Sequence, residues 1–214
     1  MKFKKSLIIV TVLIIILAVI AVIHKNKDAS GEIYAVPASN TVVYDTSYRE
    51  YLEQNGYNGI IEDAEINVDL INYTVADAMS AKVTDLGVAT GDSGSITWTF
   101  DVPKEGFYNL EIGYIAQPGT TSDIQRRILV NGEISYDGLE QIIFKRYWAD
   151  QTIASKNGNE IRPNTDEVYK ETKVFVEDYQ RRIGEPFAFY LEKGKNTISF
   201  EVIKEPITYT SIIF

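Results

Sequence analysis

Cysteine is absent from this 214-residue chain. No disulfide, zinc thiolate, thiolate nucleophile or lipidated thiol can be built, and the chain can fold outside a cell without oxidising machinery. Histidine occurs once, as His24, beside a long apolar run. A histidine-based triad or a histidine-rich metal site is therefore excluded. Basic residues are in deficit, with 21 Lys and Arg against 30 Asp and Glu. Five of the lysines and no acid fall in the first 27 residues, so residues 28–214 hold 16 bases against 30 acids, a charge of −14. That balance excludes nucleic acid as a partner, since phosphate contacts need clustered Lys and Arg. It equally disfavours a polybasic membrane clamp and strongly anionic ligands.

The one long apolar run lies at the start. Three lysines within Met1–Lys5 precede Leu7–Ile23, which is interrupted only by Thr11 and alanines. Seventeen helical residues span about 25 Å, close to a hydrocarbon core of about 30 Å. Residues 1–27 are expected to form a signal anchor or transmembrane helix, contacting the membrane through residues 6–23. A cleaved secretory signal is the alternative. The heavier N-terminal basic flank places everything after Ile23 outside the cell. The localisation expected is thus the cell membrane, single-pass with the domain extracellular, or secretion if the signal is cleaved.

Residues 28–59 read as a linker. Within it Ser47-Tyr48-Arg49-Glu50 fits a capping box, with Ser47 as N-cap, and Gly56 is placed to stop the short helix that follows. From about Ile60 the pattern has period two. Ile96, Trp98, Phe100 and Val102 alternate with polar residues, and so do Tyr108, Leu110, Ile112 and Tyr114. Ile124–Val130 is a further strand, followed by the hairpin-type turn Asn131-Gly132. Phe187–Leu191, Ile198–Val202 and Thr208–Phe214 close the series. Short strands at this spacing predict an all-β fold over residues 60–214, an antiparallel β-sandwich or jelly roll preceded by a single transmembrane or signal-anchor helix. Arg126 and Arg127 are adjacent in one strand, so one faces inward and needs a partner. Residues 145–185 break the rhythm. A loop that long in a compact domain is functional or disordered, and its aromatic content argues against disorder.

Catalytic signals are weak. Glu160 with Asp166, or Asp150 with Glu160, can be drawn as a glycosidase pair, but exposed surface acids are the commoner case. The glycine-rich stretch Gly87–Gly94 lacks the lysine and the following helix of a phosphate loop. Binding signals are clearer. Phe144-Lys145-Arg146-Tyr147-Trp148-Ala149-Asp150 mixes aromatic faces with planar polar groups, the combination that holds neutral sugars. In the alternative reading Trp148 and Phe144 anchor the loop and Arg146 pairs with an acid. Gly158-Asn159-Glu160-Ile161-Arg162-Pro163 forms a second polar cluster, where Arg162 either meets ligand or forks onto a carboxylate. Arg146, Tyr147, Trp148, Asp150, Asn159 and Arg162 are therefore the expected ligand-binding residues, around one shallow cleft.

The run Gly94-Ser-Ile-Thr-Trp98 through Pro103-Lys-Glu-Gly106-Phe-Tyr108 resembles the opening of galactose-binding-like jelly rolls, such as family 6 and family 35 carbohydrate-binding modules. Leu191-Glu-Lys-Gly194-Lys-Asn-Thr-Ile198 resembles their penultimate hairpin. More closely, Arg126-Arg127, Phe144-x-Arg146-x-Trp148, Gly158-Asn159-x-Ile161-Arg162-Pro163 and Lys204-Glu205-Pro206 are similar to the N-terminal domain of extracellular solute-binding proteins of Gram-positive sugar ABC importers. That resemblance covers roughly Ser47–Phe214. It implies a non-catalytic, extracytoplasmic carbohydrate-binding or accessory domain of a sugar-uptake system. The alternative is a structural β-sandwich adaptor that docks on a partner protein of such an importer without binding sugar. The resemblance also implies a possible structural calcium held by Glu65, although Thr210 stands where the family's last-strand Asp would be, which removes one hard oxygen ligand.

Overall fold

The computed structural model describes residues 46–214. The expected apolar helix over residues 6–23 and most of the linker lie outside the described residues. Among the described residues no helix is long and apolar enough to cross a membrane.

The elements run α1 (Thr46–Gln54), β1 (Tyr73–Ala76), β2 (Ala81–Thr84), β3 (Gly87–Thr90), β4 (Ser95–Val102), β5 (Gly106–Asn109), β6 (Glu111–Ala116), β7 (Ile124–Val130), β8 (Ile142–Phe144), β9 (Tyr147–Asp150), β10 (Ala154–Lys156), β11 (Asn159–Ile161), β12 (Thr165–Val168), β13 (Thr172–Phe175), β14 (Ala188–Leu191), β15 (Gly194–Lys204) and β16 (Ile207–Ile213). A single 3-10 turn, Asp137–Glu140, separates β7 from β8. Two five-stranded antiparallel sheets carry the fold, in the orders β1-β4-β15-β7-β8 and β13-β6-β16-β3-β2. The chain crosses repeatedly from one sheet to the other, and only the pairs β2–β3 and β7–β8 follow each other within one of these sheets. The last two strands, β15 and β16, supply the middle strand of each. The chain is thus the all-β antiparallel sandwich that its period-two pattern predicts.

The alternation does the work expected of it. In β4, Ile96, Trp98, Phe100 and Val102 are buried while Thr99 and Asp101 are exposed. Trp98 is fully enclosed, with its Nε1 donating to the Leu70 carbonyl at 2.9 Å and its ring meeting Phe200 and Tyr209 edge-on. Burying an indole this way satisfies its one donor, so the large apolar area is gained without an orphaned N–H. β7 turns Arg126 inward and Arg127 outward, the latter to Glu201 and Glu140. Arg126 has zero exposure and meets no carboxylate directly. It donates to the carbonyls of Gln125, Lys204 and Glu205, each at 2.8 Å, and to the Tyr209 hydroxyl at 3.2 Å.

Helix α1 ends as the glycine predicted. The amide of Gly56 donates to the Glu53 carbonyl and that of Tyr57 to the Leu52 carbonyl, the paired bonds of a Schellman cap. Its start differs from the expectation. The helix includes Thr46, and the Ser47 hydroxyl accepts from the Asp137 amide at 2.9 Å, tying α1 to the 3-10 turn. Tyr48 and Tyr51, three residues apart and so on one helix face, reach β14. Their hydroxyls accept from the amides of Ala188 and Tyr190 at 2.9 and 2.6 Å. Burial pushes the Tyr51 hydroxyl up to about 12.

The stretch 145–185 is not an irregular loop. β9 pairs with β12, and β10 with β11, in one continuous register from Tyr147↔Val168 at the base to Lys156↔Asn159 at the tip. Gln151 and Asn164 bridge the gap between the two pairs through a 2.8 Å backbone bond. The result is a projecting two-stranded arm. Its tip is Asn157-Gly158, with φ of 55° and 79°, the two left-handed residues of a type I′ turn. Beyond the arm, β13 joins the edge of the second sheet beside β6.

An arm exposed on both faces has little core of its own, and a lone two-stranded hairpin is marginal in water. Gly158→Ala, at a φ that costs an alanine about 1–2 kcal/mol, should speed amide exchange over residues 151–161 about tenfold or more. The melting temperature of the sandwich should stay unchanged. A matching fall in the global melt would show that arm and sandwich open together.

Candidate functional site

Arg146 follows β8 and turns inward beneath the arm. Its side chain is 1% exposed, and it touches two carboxylates that are themselves buried, Glu167 and Glu205. Nη2 meets Glu205 Oε2 at 2.7 Å and Nη1 forms a short ion pair with Glu167 Oε1. The remaining donors go to the carbonyls of Gln117 and Ser122, both at 2.7 Å. Glu205 also accepts from the Thr120 amide at 2.9 Å and from the Thr120 hydroxyl. Gly119 packs so closely here that a Cβ on it would collide with the Glu205 carboxylate and with Nη2 of Arg146. Four of its five N–H groups are engaged within the protein and the side chain is buried, so Arg146 faces no ligand. Its role is the acid-pairing one left open by the sequence. Burial alone would raise the Glu205 carboxyl, but the Thr120 hydrogen bonds and the Arg146 charge outweigh it and hold its pKa below the ordinary value.

The other expected ligand-binding residues do not surround one cleft. Trp148, Asp150 and Asn159 occupy one face of the arm by strand parity, and Tyr147 the other. Asn159 pairs opposite Lys156, eight positions along the strand from Trp148, or about 26 Å at 3.3 Å per residue. Trp148 is 45% exposed, and Asp150 accepts from the Thr165 hydroxyl at 3.3 Å. Arg162 lies exposed near the tip. The geometric expectation fails because these residues were placed in a folded-back loop, whereas a hairpin in fixed register spreads them along its length.

Glu65 and Thr210 are also apart. Residue 66 pairs with Phe214 through two backbone bonds, whereas Thr210 sits four residues back along β16, about 13 Å away. Glu65 is exposed and accepts from Asn67 Nδ2 at 2.8 Å. Among the described residues no three His, Cys, Asp or Glu side chains are grouped to hold a metal ion. The calcium arrangement implied by the resemblance does not fit these positions.

A cleft does form at the base of the arm. β8 and β13 are edge strands of the two sheets, and residues of both line one hollow. The opening holds about 150 Å³. Phe144 and Tyr114 form its floor. Tyr147 and Lys145 stand on the arm side, and Phe175, Glu177, Tyr179 and Arg181 on the other. Phe175 and Tyr179 are nearly half exposed. Lys170 lies 4.2 Å over the Tyr147 ring and fixes it by a cation–π contact. The Tyr114 hydroxyl donates to the Lys145 carbonyl at 2.9 Å, and burial, with Tyr147 alongside, pushes its pKa far up.

The wall carrying Tyr179 and Arg181 is organised by Asp178, a buried carboxylate. It accepts from the amides of Gln180 and Arg182 at 3.1 and 2.8 Å and from Arg182 Nε at 3.1 Å. Burial alone would raise this carboxyl. The Arg182 and Gln180 hydrogen bonds prevail and its pKa falls. Of the residues expected to bind, only Tyr147 lines this cleft. Lys145, Phe175, Glu177, Tyr179 and Arg181 went unrecognised, although the spacing of Phe175, Tyr179 and Arg181 around an acid was a usable signal.

No protein-family model matches the chain, and no curated protein matches it. Among solved structures it is similar to a family 35 carbohydrate-binding module from Clostridium thermocellum, at 15% identity and a TM-score of 0.39, over 71% of this chain and 98% of that one. It is similar to a CBM35 from Cellvibrio japonicus at 10% identity and 0.35, over 70% and 91%. It is also similar to an isomalto-dextranase from Arthrobacter globiformis T6 complexed with panose, at 12% identity and 0.43, over 72% of this chain and 24% of the enzyme. Likeness at this level carries no inference about a ligand, which has to be argued from the side chains.

Arg146→Ala should cost about 3–5 kcal/mol in denaturant unfolding, because it strands two buried carboxylates. Glu205 and Asp178 titrate below their ordinary values of 4.5 and 3.8. Their contribution is therefore complete above those values and is lost as pH falls through the lower folded ones. The stability gap between wild type and Glu205→Gln should be wide at pH 7 and narrow below about pH 4, read from melts across pH.

Proposed function

We propose that residues 46–214 form a non-catalytic glycan-binding domain whose site is the cleft between the edge strands β8 and β13. The observation that carries this reading is the meeting of three aromatic rings, Tyr147, Phe175 and Tyr179, with Lys145, Glu177 and Arg181 around one small opening. Rings offer apolar faces to the C–H side of a sugar, and the charged groups supply donors and an acceptor for its hydroxyls. At about 150 Å³ the opening is below the range of about 300–1,000 Å³ that holds a drug-sized ligand, which suits one sugar ring. Glycoside hydrolysis ordinarily takes two carboxylates across the scissile bond. The cleft is lined by one, Glu177. The resemblance read in the sequence supports placing the domain outside the cell, in an accessory role in sugar uptake, with residues 6–23 as the membrane contact.

A second reading has its own support. The arm exposes Trp148, Ile153 and Ile161, and such residues on a projecting hairpin suit an adaptor that docks on a partner protein.

A glycan array followed by titration tests the first reading. Tyr179→Ala should weaken binding by about 0.5–1.5 kcal/mol, or roughly twofold to tenfold, with little change in melting temperature. Trp148→Ala should leave sugar affinity unchanged. A chain that binds no glycan, or one whose binding is lost with Trp148 and indifferent to Tyr179, would leave the adaptor.

A further inference from the structure

Phe175 borders two hollows at once. One is the edge cleft. The other, of about 270 Å³, lies where the outer face of the β13-β6-β16 sheet meets the segment 61–65. Phe175 pairs across the strands with Glu111, so both side chains leave the sheet on its outer face, and Glu111 lines the second hollow together with Asn109, Asp63, Glu65 and Ile213. The ring is 48% exposed, which is unusual for a phenylalanine with a core within reach. Lys173, on the same face, is 3.8 Å from Glu111.

An exposed ring shared by two neighbouring hollows is the arrangement that lets successive units of one chain lie on a single platform. Resting on the reading of the edge cleft as a glycan site, we infer that the ligand is a linear oligosaccharide. One unit sits in the edge cleft, the chain crosses the Phe175 ridge, and the next units lie in the second hollow. The chemistry of that hollow selects the class. Its polar wall is acidic, with Asp63, Glu65 and Glu111 beside the amide of Asn109. Carboxylates accept hydrogen bonds from sugar hydroxyls and repel a carboxylate on the ligand. The units beyond the ridge are therefore neutral sugars rather than uronic acids. The net charge of −14 over residues 28–214 acts in the same direction.

The experiment is a chain-length series on the full chain in detergent micelles. Cello-, manno- and malto-oligosaccharides of two to six units are titrated by calorimetry, with hexagalacturonate as the acidic probe. In any neutral series that binds, six units should bind at least about tenfold more tightly than two. Tyr179→Ala should weaken every length equally and keep that increment. Phe175→Ala should remove the increment. Hexagalacturonate should show no gain over digalacturonate. Equal affinity for two and six neutral units would overturn the inference while leaving the edge cleft as a sugar site. A gain with the acidic series equal to the neutral one would overturn the choice of class. Failure of the array and of every series would overturn the glycan reading itself, and this inference with it.

Discussion

The carboxylate of Glu205 is gripped by Arg146 at 2.7 Å and by the Thr120 amide at 2.9 Å, while the carbonyl of the same residue takes a bond from Arg126 at 2.8 Å. Glu205 sits in the turn between the last two strands, with a left-handed φ of 67°. A non-glycine residue holds that conformation only where its surroundings impose it. Here three chain segments do so at once: the 117–122 loop, the base of the arm, and β7. With Glu167 added, two guanidinium groups and two carboxylates balance inside the protein. Ions this deep are costly unless paired and fully hydrogen-bonded. Arg126 and Arg146 meet that demand with backbone carbonyls as well as acids. The cluster fixes the turn at Glu205, and hence how β15 and β16 enter their separate sheets.

The same economy of polar groups appears where α1 meets β14. β14 pairs with β5 on one edge only. Its other edge would present open amides to solvent, a liability in any sheet. The hydroxyls of Tyr48 and Tyr51 fill two of them, and their rings pack against Tyr136, Phe187 and Phe107. Helix α1 thus serves as a cover for a strand edge. The cleft lies at another pair of edges, those of β8 and β13. Its opening follows from the arm, which leaves β8 at Tyr147 and returns to β13 at Thr172 without closing the gap between the sheets.

Strands buried on one face were legible in the sequence because burial writes itself as alternation. Ile96 to Val102 and Ile124 to Val130 are cases, and the opposed facing of Arg126 and Arg127 followed from the same rule. The arm was not legible by that rule, since most of its residues are exposed on both faces and nothing alternates. Asn157-Gly158 carried the turn signal that was given weight at Asn131-Gly132, but no apolar pattern flanked it. Arg146 drew attention through its aromatic neighbours. Its partner Glu205 is 59 residues away, and no local spacing reports a contact of that range. Tyr147 lines a surface hollow, but not one made by a folded-back loop. Phe175 and Tyr179 were not legible, because the opening depends on two sheet edges meeting, and this is decided by pairings that only the whole fold specifies.

The placement of β15 and β16 bears on how such a chain is made. Until residues 194–213 are available, neither sheet has its middle strand, and β4 and β7 on one side, like β6 and β3 on the other, have nothing between them to pair with. Synthesis at about 5–20 residues per second supplies these two strands after every other strand of the two sheets. A nascent chain that has not reached residue 194 therefore lacks the pairings that join β4 to β7 and β6 to β3. Both sheets of the sandwich thus close together, and only after the chain has been made as far as β16.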